Sequence, residues 1–469
     1  MQCIPGRKTT AHNGLTRRKL LTVGGLSLFG GLTQTNLLRA EQSRNLSGGS
    51  ARSVVLLNLF GGPPHMDMFD LKPDAPDNVR GEFKPIATSV PGLRISELLP
   101  KTAGLMDRAT LIRTYSHKYN SHNPYNVLTG FDGGKDSDNY FAKVTDHPGI
   151  GSICQYLDIG AKDVPQYVMM PASPGYTQAL RRAGPYGGYL GSQYDPLFTV
   201  CDPQIAREPK HDYDAVVPMG HPTLPSLDAQ PGITASRFSG RGSLLKQLDT
   251  DLARLENSGA ISRLDEFRQQ AFNLLSSSAT RKAFDITDES DSMRDHYGRN
   301  LWGSSLLVAR RLVEAGSTFI TVHWESKGKN HWDLHGNCFE MLKIQCPNLD
   351  QLIAAFVTDL EQRNLLDSTL FVVMGEMGRT PTINKAAGRD HWPQCGFSLL
   401  FGGGSRRGVV VGKTDKHAAY PAERPVSAGD MVATIYHLLG IDSRMTVRDL
   451  GGRPVHIAHG GSPVFEAIA

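Results

Sequence analysis

Short apolar runs alternate along this chain with longer segments in which apolar residues recur every three or four positions. The runs predict buried strands over residues 53–60, 110–113, 166–170, 318–323, 369–374 and 397–401. The periodic segments predict helices over residues 242–257, 262–275, 300–315, 348–363 and 428–439. Strands that are apolar on both faces need helices on both sides. The alternation therefore predicts an α/β fold with a mainly parallel central sheet and helices on both faces.

The segment over residues 171–240 departs from this alternation. It is rich in Gly, Pro, Tyr and Asp and has little periodicity. Long connections of this kind inside a compact domain are often functional. We therefore predict one domain over residues 53–469, with residues 171–240 as an irregular insertion that lies over its site.

The N-terminal segment carries an export pattern. Arg17 and Arg18 stand directly before a glycine-interrupted apolar run over residues 20–32. A membrane span takes about 20 apolar residues, whereas a shorter run after an arginine pair is typical of a twin-arginine signal peptide. We predict a signal peptide over residues 1–40, a linker over 41–52, and export by the twin-arginine machinery to the periplasm or the extracellular space. A retained membrane anchor stays open, because residues 38–40 make a poor cleavage site.

Composition narrows the classes of partner. The formal net charge of +4 comes partly from the signal. The charges of the mature chain are therefore nearly balanced, and its surface has no strong positive potential that would attract nucleic acid. No later stretch is long and apolar enough for a stable membrane span. The cysteines after the signal are odd in number and include no C-x-x-C pair, which argues against a disulfide scaffold or a structural zinc site.

Three segments concentrate His, Asp and Glu near predicted strand ends, over residues 60–67, 331–337 and 372–392. Open α/β sheets bind ligands beyond the carboxyl ends of their strands. Carboxylates and imidazoles are the ligands that hydrolytic sites use for zinc, manganese and related divalent ions. The segments hold enough such groups for one or two metal ions.

Several of these residues have both a functional and a structural interpretation. Asp333 and His335 are two apart, so on an extended segment both point the same way and can share a metal. Alternatively, Asp333 caps the following helix and His335 binds a loop. His391, beside Asp390 and Trp392, is a candidate ligand or acid, or else a hydrogen-bonded loop histidine.

The third segment also contains a candidate anion-binding pair. Glu376 directly follows the predicted strand over residues 369–374, and Arg379 lies about one turn later. A guanidinium can hold an anionic group through two parallel hydrogen bonds. The alternative is a structural ion pair between Glu376 and Arg379.

A fourth segment, over residues 117–130, follows the strand at residues 110–113 and is predicted to open a helix. Free N–H groups at a helix N-terminus bind anions, so Ser121 or His122 could act there, with Thr129 a weaker candidate. The alternative is Ser121 as an ordinary N-cap and His122 as a buried polar residue.

Taken together, these stretches resemble exported bacterial proteins that carry the domain of unknown function 1501, within the alkaline-phosphatase and sulfatase superfamily. The resemblance implies an alkaline-phosphatase-like fold and metal-dependent hydrolysis of phosphate or sulfate esters. The matching stretches are Gly61-Gly62 with Asp67, and residues 294–298, 309–316, 332–335, 375–381 and 388–392.

The same resemblance implies a set of metal ligands. This sequence departs from the superfamily pattern in two places. The superfamily's Asp-His pair is replaced by Glu376-Met377, so one ligand is missing and the resemblance does not imply a complete two-metal site. Asn120-Ser121-His122 stands where sulfatases have their formylglycine core, so a formylglycine-dependent sulfatase is not predicted. Ser121 is then the first candidate nucleophile, with His122 as a ligand or general acid–base. The ligands implied by the resemblance are Asp67, Asp333, His335, Glu376 and His391.

Two functions compete at this point. In the first, a divalent metal (zinc, manganese or calcium) polarises the oxygen of an anionic ester substrate, which is hydrolysed. In the second, the protein keeps the fold without turnover and holds a sulfated polysaccharide through Arg379 and aromatic residues of the 171–240 insertion, or assembles with envelope proteins. The sequence favours the hydrolase, because acidic and imidazole residues recur where an α/β sheet builds its sites.

Overall fold

The apolar runs pair side by side into one eight-stranded sheet in the computed structural model, which describes residues 48–137, 140–205, 216–225, 277–325 and 332–469. The order of its strands is β8-β2-β7-β6-β1-β5-β3-β4. In chain order they are β1 (Ser53–Asn58), β2 (Ala109–Tyr115), β3 (Tyr167–Met170), β4 (Leu197–Phe198), β5 (Phe319–His323), β6 (Thr369–Met374), β7 (Gly396–Phe401) and β8 (Val409–Val411).

The predicted mainly parallel arrangement of the sheet is confirmed. Every pairing in it is parallel except those of β7, which runs antiparallel to both of its neighbours, β2 and β6. Central strand β1 pairs with β5 and β6, placing Val54 opposite Phe319 and Leu370. All of β1 is buried. A strand that is covered on both faces appears in the sequence as a continuous apolar run.

Helices cover both faces of the sheet, as predicted. Successive residues of β1 point to opposite faces. Val55 and Leu57 pack in one hydrophobic core with helices α8 and α9, and Val54 and Leu56 pack in a second with α5 and α10. The helices are α1 (His65–Met68), α2 (Asp77–Arg80), α3 (Pro100–Ala103), α4 (Tyr125–Thr129), α5 (Ile150–Tyr156), α6 (Ser278–Phe284), α7 (Asp291–Tyr297), α8 (Leu301–Ala315), α9 (Cys338–Gln362) and α10 (Ala428–Leu438).

The described residues also contain short 3-10 helices and four two-stranded ribbons. They pair Pro85–Ala87 with Arg94–Ser96, Gly378–Arg379 with His391–Trp392, Lys413–Thr414 with Pro421–Glu423, and Thr446–Arg448 with Pro454–His456. Across the described residues, no helix combines the length and the apolar character needed to cross a membrane.

The structure departs from the predicted elements in several places. Helix α9 begins ten residues before the predicted start at residue 348, and it continues through Pro347. Proline lacks an N–H and normally ends a helix, but Phe339, Met341 and Leu342 lie buried in the first hydrophobic core. Burial of this apolar face offsets the lost hydrogen bond. The sequence did not predict strands β4 and β8 or helices α1–α3 and α5–α7. The helices predicted over residues 242–257 and 262–275 lie outside the described residues.

The described part of residues 171–240 contributes to the sheet and to the site edge. Strand β4 pairs with β3. Glu325, two residues after β5, is buried and accepts hydrogen bonds from Gly175 N at 2.8 Å and from Thr177 Oγ1 at 2.7 Å. The turn over residues 175–177 is therefore held at the carboxyl end of β5.

Candidate metal centre

The candidate residues meet because their loops leave the same edge of the sheet. The loops after β1, β2 and β6 begin at the carboxyl edge, as does the connection from β5 to α9. Strand β7 runs in the opposite direction, so its first residue lies at this edge. The ribbon strand His391–Trp392 precedes β7 by three residues. The antiparallel direction of β7 therefore brings the last histidine to the loops of the parallel strands.

Four side chains converge at this edge, and we call them the histidine-aspartate cluster: His122, Asp333, His335 and His391. One ligand atom from each lies within 4.8 Å of all the others. Asp333 Oδ1 is 2.9 Å from Nε2 of His122, 3.0 Å from Nε2 of His335 and 3.6 Å from Nε2 of His391. The predicted pairing of Asp333 with His335 is therefore present, and His122 and His391 join it.

Each imidazole of the cluster is oriented by an acceptor on its far side. Nδ1 of His122 is 2.8 Å from Glu376 Oε1, and Nδ1 of His335 is 2.8 Å from Asp390 Oδ1. Nδ1 of His391 lies 3.2 Å from the carbonyl oxygen of Asn120. Carboxylate and carbonyl oxygens accept, so each Nδ1 donates and each Nε2 is left to face the cluster. Outer partners of this kind accompany histidines that bind metals.

The close contacts in the cluster change the ionisation of its members. Burial opposes ionisation of Asp333, but the nearby imidazoles of His122, His335 and His391 hold the pKa of Asp333 well below its usual range. Burial by itself would lower the pKa of His122, but hydrogen bonds to Asp333 and Glu376 outweigh it and raise this pKa to about 9. The hydrogen bond to Asp333 raises the pKa of His335, whereas burial lowers the pKa of His391. The carboxylate at the centre therefore stays ionised.

Arg379 lies beneath the cluster and is fully buried. Its guanidinium donates to Asp333 Oδ1 at 2.7 Å, and its other hydrogen bonds go to main-chain carbonyls. The structure therefore gives Arg379 a different set of partners from the anionic group that the sequence suggested. Its ion pair is with Asp333. The structural alternative had predicted an ion pair with Glu376. The carbonyl acceptors belong to Gly61, Gly62, Trp332 and Arg389.

The turn after β1 explains why glycine stands at position 61. Gly61 has a φ of +115°, and a Cβ there would collide with the backbone of Trp332 and Asp333. Its N–H donates to Glu376 Oε1 at 2.7 Å. The close approach holds the Asp333 loop against β1 and also fixes the carboxylate that orients His122.

Asp67 and Glu376 do not belong to the four-residue cluster. Asp67 is 1% exposed and forms a two-pronged pair with Arg389, with Oδ2 2.6 Å from Nε and Oδ1 2.9 Å from Nη2. Glu376 stands behind His122 and contacts its Nδ1. Of the five ligands that the resemblance implied, the structure brings together Asp333, His335 and His391.

Ser121 directly precedes His122 and is buried, and its Oγ has no hydrogen-bond partner among the described residues. Helix α4 begins only at Tyr125, with Pro124 at its N-cap. The interpretation of Ser121 as an N-cap is therefore wrong, and neither Ser121 nor His122 lies at a helix N-terminus. Thr129 donates to the carbonyl of Tyr125 within α4.

Two contacts that hold the cluster were not predicted. Arg182, from the 171–240 segment, donates to the carbonyl oxygen of His122 at 2.8 Å. His117 Nε2 lies 2.5 Å from the carbonyl oxygen of Glu376. Both contacts use main-chain acceptors, which every residue carries, so the side-chain pattern gives no signal for them.

We expect His117 to make the protein less stable in acid. Burial lowers the pKa of His117 from 6.5 to about 4. Between these two pH values the unfolded chain binds a proton at His117 and the folded chain does not. This contribution to the free energy of unfolding is present above pH 6.5 and is lost as the pH falls towards 4. At about 1.4 kcal/mol per pKa unit, it amounts to at most roughly 3.5 kcal/mol.

Urea unfolding between pH 7 and 4 measures this effect. His117→Gln is expected to be less stable at pH 7 but to lose less stability on acidification than the wild type. Parallel curves for the two proteins would show that His117 does not carry the pH dependence.

Several solved structures are similar to this chain. The PsFucS1 sulfatase from Pseudoalteromonas sp. is 10% identical with a TM-score of 0.36, and the match covers 87% of this chain and 70% of that one. The lipoteichoic acid synthase LtaP from Listeria monocytogenes is 9% identical with a TM-score of 0.35, over 89% and 77%. The phosphonate monoester hydrolase SpPMH from Silicibacter pomeroyi is 10% identical with a TM-score of 0.34, over 89% and 78%. No protein with a curated description matches the chain.

Sequence similarity to a protein family extends over almost all of the described residues. The family model is described as "Protein of unknown function (DUF1501)" and matches residues 51–468. This range contains the whole sheet and all four residues of the histidine-aspartate cluster. The chain therefore belongs to the DUF1501 family.

Proposed function

We propose that this protein is a metal-dependent hydrolase of phosphate or sulfate esters. The observation that carries the proposal is the histidine-aspartate cluster, in which three imidazole nitrogens and one carboxylate oxygen lie within 4.8 Å of one another. Imidazole nitrogen suits zinc and manganese better than calcium, which prefers oxygen ligands. Of the three metals that the sequence suggested, we favour zinc or manganese.

The donor set fits a divalent ion in two further respects. His391 Nε2 is buried and has no hydrogen-bond partner among the described residues. Each of the three imidazoles has an acceptor on Nδ1, which aims Nε2 into the cluster. An ionised Asp333 supplies negative charge. A divalent ion bound here would polarise the ester oxygen and stabilise the charge that develops on it.

Ser121 is the nucleophile in this proposal. Its buried hydroxyl precedes a cluster residue in the chain, and its Oγ has no hydrogen-bond partner among the described residues. Glu376 Oε2 is a second buried oxygen in the same situation. Buried polar atoms are almost always paired, so a water molecule or a substrate group is expected beside them. Position 121 is an unmodified serine in the proposal, because the sequence lacks the sulfatase formylglycine core.

Metal analysis combined with ester hydrolysis tests this function. We expect about one zinc or manganese ion per chain in the wild type, and hydrolysis of p-nitrophenyl phosphate or p-nitrophenyl sulfate. His391→Ala should lose the ion and the activity. Ser121→Ala should keep the ion and lose the activity, which separates the nucleophile from the ligands.

Two outcomes would count against the hydrolase. The first is a purified protein that contains no bound metal and shows no hydrolysis after zinc, manganese or calcium is added. This result would contradict the proposal of a metal-dependent hydrolase. Stoichiometric metal with no turnover on any phosphate or sulfate ester would favour the second function, a binding protein for sulfated polysaccharide.

We also propose that the chain is exported by the twin-arginine pathway and acts in the periplasm or outside the cell. The support is the Arg17-Arg18 pair before the apolar run over residues 20–32. Replacing both arginines by lysine keeps the charge, and we expect it to leave the protein in the cytoplasmic fraction. Arg7→Lys is the matched control and should be exported normally. Export of the double variant at the wild-type level would contradict the proposal.

A further inference from the structure

A groove with a volume of about 520 Å³ opens beside the histidine-aspartate cluster. Asp390 joins the two, because it lines the groove and its Oδ1 is 2.8 Å from His335 Nδ1. Trp392, another lining residue, directly follows His391 in the chain. The volume lies within the range of about 300–1,000 Å³ that is usual for ligand pockets. The groove therefore adjoins the cluster at Asp390.

One wall of the groove is aromatic. The rings of Trp392 and Tyr420 pack edge to face, with their centroids 5.4 Å apart. Tyr420 is also 50% exposed, so part of its side chain is open to solvent. Trp392 Nε1 donates to the carbonyl oxygen of Ala419 at 2.6 Å. The indole is thereby fixed against the turn that carries Tyr420.

This turn is held before any ligand arrives. The carboxylate of Asp415 accepts hydrogen bonds from the N–H groups of His417 at 3.0 Å and Ala419 at 2.9 Å. From below, the buried His65 contacts the carbonyl oxygen of Ala418 through Nε2 at 2.7 Å. A wall that is ordered in advance loses less conformational entropy when it binds a ligand.

The rest of the groove combines polar side chains with the apolar ones of Pro76, Val79, Pro381 and Ala419, and its described lining contains His417 but no lysine or arginine. The lining includes the amides of Asn78 and Asn384, the hydroxyls of Thr380 and Thr382, and the carboxylate of Asp390. A sulfate or phosphate group in the groove would meet the carboxylate of Asp390, and His417 is the one other ionisable side chain of the described lining. Amides, hydroxyls and one carboxylate beside aromatic rings instead suit an uncharged ligand with many hydroxyl groups and an apolar face.

We propose that the groove binds a neutral pyranose ring of a glycan. The C–H face of the ring packs on Tyr420 and Trp392, and its hydroxyls bind the amide, hydroxyl and carboxylate groups opposite. The part of the inference that concerns turnover rests on the proposed function. It assigns the substrate as a glycan ester whose esterified sugar lies at the histidine-aspartate cluster and whose neighbouring, uncharged sugar lies in the groove.

Direct binding of neutral tetrasaccharides of glucose, galactose, mannose and xylose tests the groove. Saturable binding of at least one of them to the wild type is expected, measured by saturation-transfer NMR and calorimetry. Tyr420→Ala should weaken that binding roughly three- to tenfold, and Tyr420→Phe, which keeps the ring, should largely preserve it. Phe465→Ala removes another exposed aromatic side chain, 61% exposed and outside the groove lining, and should have no effect.

Two results would overturn the groove assignment: no saturable binding of any of the four neutral tetrasaccharides, or equal binding by the wild type and Tyr420→Ala. The assay needs neither metal nor turnover, so its failure is distinct from failure of the proposed hydrolase. A protein that hydrolyses aryl esters but binds no neutral tetrasaccharide would keep the hydrolase and lose the groove. The reverse result would keep the groove and remove the hydrolase.

Discussion

Asp333→Asn is expected to release the metal ion and to lower ester hydrolysis by roughly 10²- to 10³-fold. Asp333 is the only carboxylate of the histidine-aspartate cluster. Its Oδ1 is the common neighbour of His122 and His335 and accepts from Arg379. An amide has the same shape but no charge, and its NH2 group cannot accept from these donors. The variant therefore loses the negative charge that offsets both the arginine and the ion.

Metal content by mass spectrometry and the initial rate of aryl ester hydrolysis measure this effect. Asp350→Asn is a matched control, because Asp350 is also buried and accepts from the N–H groups of Lys101 at 3.0 Å and Thr102 at 2.7 Å, outside the cluster. The control is expected to keep its metal, whatever its stability. Wild-type metal content in Asp333→Asn would place the ion elsewhere.

Asp67→Asn is expected to lower the free energy of unfolding by about 3–5 kcal/mol while the folded protein keeps its metal. Asp67 and Arg389 are both fully enclosed and joined by two hydrogen bonds of 2.6 and 2.9 Å. The other donors of Arg389 reach the carbonyl oxygens of Val79, Thr380 and Pro381. The asparagine leaves the guanidinium buried without its counter-charge, which is more costly than the loss of one hydrogen bond.

Urea unfolding with and without added metal, together with metal analysis, checks both halves of this expectation. Asp77→Asn is the surface control, because Asp77 also pairs with an arginine, Arg80, at 2.8 Å, but its side chain is 89% exposed. An exposed pair contributes at most about 1 kcal/mol. If Asp67→Asn folds with wild-type stability and loses its metal, Asp67 returns to the ligand set that the resemblance implied.

Asp67 shows the difference between sequence position and tertiary contact. The position of Asp67 after β1, in a run of candidate ligands, suggested a metal site. In the structure its carboxylate instead pairs with Arg389, which lies 322 residues later in the chain. Sequence spacing carries no signal for a contact over that separation. The same applies to Arg379, whose guanidinium is occupied by main-chain carbonyls and Asp333.

Much of the fold follows from the sequence by itself, because the apolar runs that became β1, β5 and β6 are buried on both faces and therefore lack polar alternation. The location of the candidate site at the carboxyl edge follows from the same reasoning, since parallel strands all end at one edge. The convergence of Asp333 and His335 was also predictable, because it is local. The function and the export remain proposals, and residues 1–47 lie outside the described structure.

The tertiary structure alone decided which of the candidate side chains meet. The antiparallel direction of β7 brings His391 to the cluster, and strand direction is set by pairing with β2 and β6 rather than by the local pattern. Glu376 became the orienting partner of His122 because the Gly61 turn holds it there. Local periodicity reports burial, whereas the pairing of charges depends on which loops approach one another, and that is settled only when the chain has folded.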